Sequence, residues 1–208
     1  MYKKNYGNIP NKDKIHYYLI ESNENLGEWV SHSKLIGKSA RDIADKIGLD
    51  KDIAYAIGSL HDIGKSKRKT GLSQIMESFY MLRNEAYFFP AKISISHSFI
   101  IKDIKAYVGD DNIGKRDRKI LENFLISHDY NDYDKLIQLL DNSITDTFVG
   151  IEKKQEILKE KYGKIPFEKE KYKILKEYEM YFEEKLGEKI EYFLRKNGPL
   201  SNGLGRQK

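Results

Sequence analysis

The sequence predicts an all-α protein, a bundle of about seven to nine helices with no essential sheet. Three observations carry this reading. Apolar residues recur at spacings of three and four along most of the chain, the period of a helix with one buried face. Strand-like alternation is scarce, and only residues 105–113 alternate enough to pair briefly. Gly48, Gly64, Gly163, Pro166 and Gly187 stand where the periodic stretches stop, as helix-ending residues do.

Residues 1–12 are polar, carry Gly7, Pro10 and Asn11, and read as a loosely held arm. A short helix starts near Lys14 and reaches about Ser22, and its His16 is a surface or packing residue. Ser31 is placed to cap the next helix. There His32, Leu35, Ile36, Ala40, Ile43, Ala44 and Ile47 line one face up to Gly48. Asp50 caps a second helix whose stripe is Ile53, Ala54, Ile57, Leu60 and His61. Leu72, Ile75, Met76, Phe79 and Leu82 trace another helix, and Pro90 opens a short one leading to His97, Phe99 and Ile100. Residues 103–115 read as a loop or a hairpin-like excursion. Helical pattern resumes over 117–126, and His128 falls in polar turn chemistry as an exposed residue. Asp132 begins a long distal helix with Tyr133, Leu136, Ile137, Leu140, Ile144 and Phe148 on its stripe and Asp141 beside Leu140. Residues 167–196 form one or two helices, which Gly187 kinks or splits, as an appendage on the core.

The chemistry-bearing stretch is Ser59–Lys65. A His and an Asp stand side by side at a helix end, followed by Gly64 and a cationic loop. An imidazole next to a carboxylate suits a divalent metal of intermediate softness. His32 lies 29 residues upstream, on the buried side of its helix, and Asp141 lies on the core side of its own. A polar group facing a core must be paired or bound. Lys65 follows Gly64 at the rim, where its ammonium can hold a phosphate oxygen as a point charge. Arg68, in the same cationic loop, is a further candidate for the substrate or second-metal site, while Lys67 and Lys69 read as ordinary loop lysines.

His32, the pair His61–Asp62 and the distal Asp141, with LHDIGK at residues 60–65, resemble the HD-domain metal-dependent phosphohydrolases. The segments DYDKLIQLLD (132–141) and ISHSF (95–99) resemble a bacterial subgroup of the HDIG type. The likeness covers roughly residues 30–162. It implies an HD-domain helical bundle with a C-terminal helical appendage. The divisions are residues 1–24 as an arm and short helix, 25–163 as the HD domain, 164–198 as C-terminal helices and 199–208 as a flexible tail. It implies that His32, His61, Asp62 and Asp141 hold one metal and that Asp62 also orients the attacking water. Relatives of the subgroup carry a His near position 74 and another at 97, for a second metal or for substrate. Here position 74 is Gln and position 97 is His. Gln is a poor transition-metal ligand, so one tightly held metal is expected, with His97 and Gln74 facing substrate. The N/O donor set suits Mn, Fe, Co, Ni or Zn better than Mg.

Composition narrows the function. There is no cysteine, so no disulfide or thiolate site exists. No apolar run reaches a membrane span, and the first residues lack a signal-peptide core, so a cytoplasmic protein with no membrane partner is expected. The net charge of +5 invites a nucleic-acid reading, but residues 152–191 hold 11 Lys and 11 Glu and form no basic groove. The expected function is metal-dependent hydrolysis of a small phosphorylated molecule, a nucleotide before others. The alternatives are an HD nuclease on single-stranded nucleic acid, as in CRISPR-associated systems, and a non-catalytic metal- or nucleotide-binding module. No GYP triplet occurs, which disfavours the HD-GYP phosphodiesterases.

Overall fold

Two glycines set how the first two long helices meet. In a computed structural model, which describes residues 1–197, helix α2 (Glu28–Lys46) crosses helix α3 (Lys51–Leu60) with Gly37 against Gly58. A Cβ added to Gly58 would lie 2.9 Å from Gly37 Cα, so the two backbones touch. That approach brings the start of α2 beside the end of α3. Helix α2 begins three residues before Ser31, which is exposed and caps nothing. Val30 is buried and the Trp29 indole donates to Asn25 O at 2.7 Å, so packing extends the helix past the capping signal. Asp50 does cap α3, accepting from the N–H groups of Asp52 and Ile53.

Before these helices lie α1 (Lys12–His16), continued by a π turn over Tyr17–Glu21. After them come a 3₁₀ turn (Ile63–Lys67), α4 (Gly71–Asn84), α5 (Phe88–Ser96), α6 (Lys115–Ser127) and α7 (Asp132–Asp141). The chain ends in α8 (Gly150–Tyr162), α9 (Glu168–Leu186) and α10 (Ile190–Asn197). The expected tail at 199–208 lies outside the described residues. The all-α reading holds, with ten α-helices among the described residues against the seven to nine expected.

Three local expectations are corrected. The N-terminal arm is held. Strands β1 (Tyr2–Lys3) and β2 (Gly7–Asn8) pair, Ile9 is fully buried, and Tyr6 packs edge-on against Phe89 and Tyr133. Residues 103–115 form no hairpin. A 3₁₀ turn spans Ile104–Ala106, and the loop's polar groups serve α4 instead: Asp110 O accepts from Leu72 N, and Asn112 Oδ1 from Ser73 N. The distal helix stops at Asp141, since the Asn142 side chain turns back to donate to Gln138 O. Ile144 and Phe148 then pair across a tight loop.

One main core joins Ile36, Ile43, Ile57 and Leu60 of α2 and α3 to Leu136 and Leu140 of α7. Leu175, Phe182 and Leu194 of the C-terminal helices belong to the same core. Burial of each such side chain is worth about 1.5–3 kcal/mol. Exposed pairs such as Lys176–Glu152 are worth about 0–1 kcal/mol. Apolar burial therefore holds the appendage in place. Gly187, at φ +75°, ends α9 and splits the appendage as expected.

Candidate metal centre

Helices α3, α5 and α7 point their C-terminal ends at one spot. His61 follows α3, His97 follows α5, and Asp141 is the last residue of α7. The junction is fixed by buried polar contacts. Asp134 accepts from Ser96 Oγ at 2.6 Å and from Lys92 Nζ at 2.6 Å, and Gln138 Nε2 donates to Ser96 O at 2.7 Å. Three converging helix C-termini present partial negative charge, which favours a cation.

His32 and His61 stand with ring centroids 5.6 Å apart, and His61 and His97 4.8 Å apart. Two overlapping groups have the spacing to hold a metal ion: His32, His61 and Asp141, and His61, Asp62 and His97. Each imidazole is anchored from behind. His61 Nδ1 donates to Gly58 O at 2.7 Å, and His32 Nδ1 to Thr145 O at 3.0 Å. Because a carbonyl only accepts, both Nδ1 atoms carry the proton, and a neutral ring then turns a lone pair at Nε2 inward. His61 Nε2 is fully buried with no hydrogen-bond partner, 3.5 Å from Asp62 Oδ2 and 3.7 Å from Asp141 Oδ1. His32 Nε2 lies 3.0 Å from Asp141 Oδ1. Lone pairs aimed at carboxylate oxygens are reconciled by a cation among them, so these residues fit a divalent ion.

The carboxylates are ionised in this setting. Burial alone would raise the Asp62 carboxyl, but the Lys65 ammonium and the imidazoles of His61 and His97 hold it well below the usual carboxylate range. Burial also opposes Asp141, and the neighbouring imidazoles of His32 and His61 with the charge of Lys154 hold it low. Gln74 is buried and its Nε2 donates to Asp62 Oδ1 at 2.8 Å, which fixes the carboxylate plane. Gly64 permits this: its N–H donates to Ser78 Oγ at 2.7 Å, and any Cβ there would lie 2.1 Å from Gln74 O.

The structure gathers His32, His61, Asp62, Gln74, His97 and Asp141, and it places Lys65 against them. The Lys65 ammonium rests on Asp62 Oδ2 rather than standing open at the rim. Arg68 is not brought in; its Nε donates to Glu24 O at 3.1 Å on the surface. His16 and His128 are exposed, and His128 stacks on Phe124.

The match to a family model decides the family: the HD domain model covers residues 29–145, more than half of the chain. This chain belongs to the HD-domain family. No curated protein and no solved structure matches it significantly. HD domains bind divalent metals and are generally hydrolases. None of the helices described here is long and apolar enough to cross a membrane.

The family match ends before α8, but the space beside the cluster is bounded by residues beyond it. A cavity of about 120 Å³ opens beside Asp141 and His97, and its far wall comes from Gln155 and Leu158 of α8 and Lys171 and Leu175 of α9. Tyr107 also lines it, its hydroxyl pushed well up by burial and by the charge of Asp62. Sequence reasoning missed Tyr107 and Lys171. The available signal was Lys171 on the α9 stripe, four residues before Leu175.

Proposed function

We propose that this HD domain is a metal-dependent phosphohydrolase, with His32, His61, Asp62 and Asp141 holding one divalent ion. The observation that carries the reading is His61 Nε2, buried and partnerless between two ionised carboxylates. Of the candidate ions, Mn, Fe, Co, Ni and Zn suit two imidazoles and two carboxylates better than Mg. When bound, such an ion supplies a Lewis acid for a phosphoryl oxygen and acidifies water in its shell. The chain does the rest by position. Gln74 and Lys65 hold Asp62 in one orientation, so its carboxylate meets the attacking water at a set angle. His97 stands on the cavity wall, 3.6 Å from Asp62 Oδ1, and faces the entering phosphoryl group.

The substrate is a phosphorylated small molecule, a nucleotide foremost. A second reading, cleavage of single-stranded nucleic acid, is favoured by the net charge of +5. The cavity, about 120 Å³ in volume, has room for a phosphoryl group, and its open side lets the rest of the substrate, one nucleoside or a polymer, extend outward. Metal analysis of the purified chain, then turnover of nucleoside mono- and triphosphates against single-stranded DNA and RNA with Mn, Co, Ni, Zn and Mg, tests both. Small-ester turnover lost in Asp141→Ala supports the first reading. Cleavage of polymers alone establishes the second, and no turnover of either leaves a non-catalytic binding module.

A further inference from the structure

Lys171 is an unusual lysine for its place. It is 5 % exposed, and its ammonium donates to Ala106 O. Among the described residues no carboxylate lies within ion-pair distance of it. An ammonium has three donors, so one backbone carbonyl leaves two to spare. A buried charge without a counter-ion is costly, and burial pushes this amine down to about 8. Its position explains what those donors can meet. Lys171 lines the same cavity as Asp141 and His97, and no other lysine or arginine lines it. The remaining polar liners, Ser98, Tyr107, Asn142 and Gln155, are neutral.

Lys65 is the cation that the motif offers for phosphate, but its ammonium is engaged by Asp62 and it does not line the cavity. Lys171 has the complementary character: inside, charged and without an anion. A tetrahedral oxyanion matches the cavity in volume and supplies the acceptors that the ammonium lacks.

We propose that Lys171, supplied by helix α9 outside the family-defining segment, binds the phosphoryl group of the substrate in the cavity beside the metal cluster. The proposal rests on the phosphohydrolase reading and adds to it. The C-terminal helices complete the substrate site, and the group they recognise is a phosphoryl or an equivalent tetrahedral oxyanion. Lys171 is then a binding residue, not a metal ligand, so the two functions separate by substitution.

The test uses the full chain as wild type, Lys171→Met and Lys171→Arg. Bound Mn is measured for each, and inorganic phosphate is titrated calorimetrically into Mn-loaded and metal-free protein. The expected result is unchanged Mn content in Lys171→Met, a phosphate Kd raised at least about tenfold, equivalent to about 1.4 kcal/mol, and partial recovery in Lys171→Arg. Equal phosphate affinity in wild type and Lys171→Met overturns the proposal and makes Lys171 a structural tie to Ala106, while retained Mn leaves the metal reading standing. Failure of the wild type to retain Mn defeats the metal reading instead, and the metal-free titration still decides Lys171. Should Lys171→Met not fold, the wild type answers alone: phosphate should slow acetylation of Lys171 by acetic anhydride, followed by mass spectrometry. Acetylation at the same rate with and without phosphate overturns the proposal.

Discussion

The cavity has two walls of opposite character. The wall at the ends of α5 and α7 supplies His97, Asp141 and Asn142 and backs onto the metal cluster, where Asp62 has Lys65 and Gln74, Asp141 has His32, the rings of His61 and His32 lean on backbone carbonyls, and His61 Nε2 has no partner. The wall built from α8 and α9 sets Leu158 and Leu175 beside the neutral Gln155 and one buried cation with a single carbonyl partner. The first wall is held rigid by its pairs and leaves one inward lone pair for a cation. Unmatched charge gives a wall whose partner must arrive from outside. The difference assigns the first wall to a resident ion and the second to something that comes and goes.

Breaking the first wall should have the largest effect. His61→Ala or Asp62→Ala is expected to abolish metal retention and activity while the helical circular dichroism persists. Full metal occupancy in Asp62→Ala would remove it from the ligand set. One step outward, Gln74→Ala keeps every proposed ligand and frees the Asp62 carboxylate. Loss of such an orienting partner usually weakens metal affinity or activity by about 10–100-fold, so an unchanged metal Kd and unchanged rate would show that Gln74 does not orient it. Gln74→His sharpens the same point, because a third imidazole beside His97 and Asp62 should give measurable affinity for a second ion.

The smaller effects are on stability. Gly58→Ala forces α2 and α3 apart and should cost about 1–3 kcal/mol in chemical denaturation. In the second wall the effect runs the other way. The Lys171 amine is lowered to about 8 from 10.5, so between those values the unfolded chain binds more protons, and wild-type stability rises with pH. Lys171→Met lacks that rise. It should be more stable than wild type below pH 8, by at most about 3 kcal/mol at 1.36 kcal/mol per pH unit, and the gap should shrink towards pH 10.5. Melting curves of both proteins at pH 7, 9 and 10.5 check the sign, and a gap that widens with pH would contradict it.

The two walls were also unequally legible. His61–Asp62 at a helix end, His32 on a buried face and Asp141 on a core stripe are local patterns, and periodicity exposes them. Gln74 and His97 came from family resemblance, and the structure brings both to Asp62. Spacing puts Lys171 on the buried stripe of α9, but which cavity it and Tyr107 reach depends on which helix folds back over which. The lysine was hidden further by a helix in which lysines are common. The N-terminal arm was misread for a related reason: one fully buried residue, Ile9, and aromatic contacts to Phe89 and Tyr133 leave no period to detect. The distal helix was read too long because Ile144 and Phe148 continue the apolar spacing after the backbone has turned.

The carbonyls of Gly58 and Thr145, behind His61 and His32, have a consequence for how the protein is loaded. Both rings are aimed by backbone contacts, and the close helix crossing at Gly37 and Gly58 is made by backbone and not by the proposed ligands. With an apolar core of this size, the chain is expected to differ from small zinc modules, in which folding waits for the metal. Uptake becomes an ordinary equilibrium with a completed receptor. Its effect on stability follows mass action, about 2.7 kcal/mol when free ion stands at 100 times its Kd and nothing when ion is withheld. A chelator should therefore lower the melting temperature by a concentration-dependent step and leave behind a folded, reloadable protein.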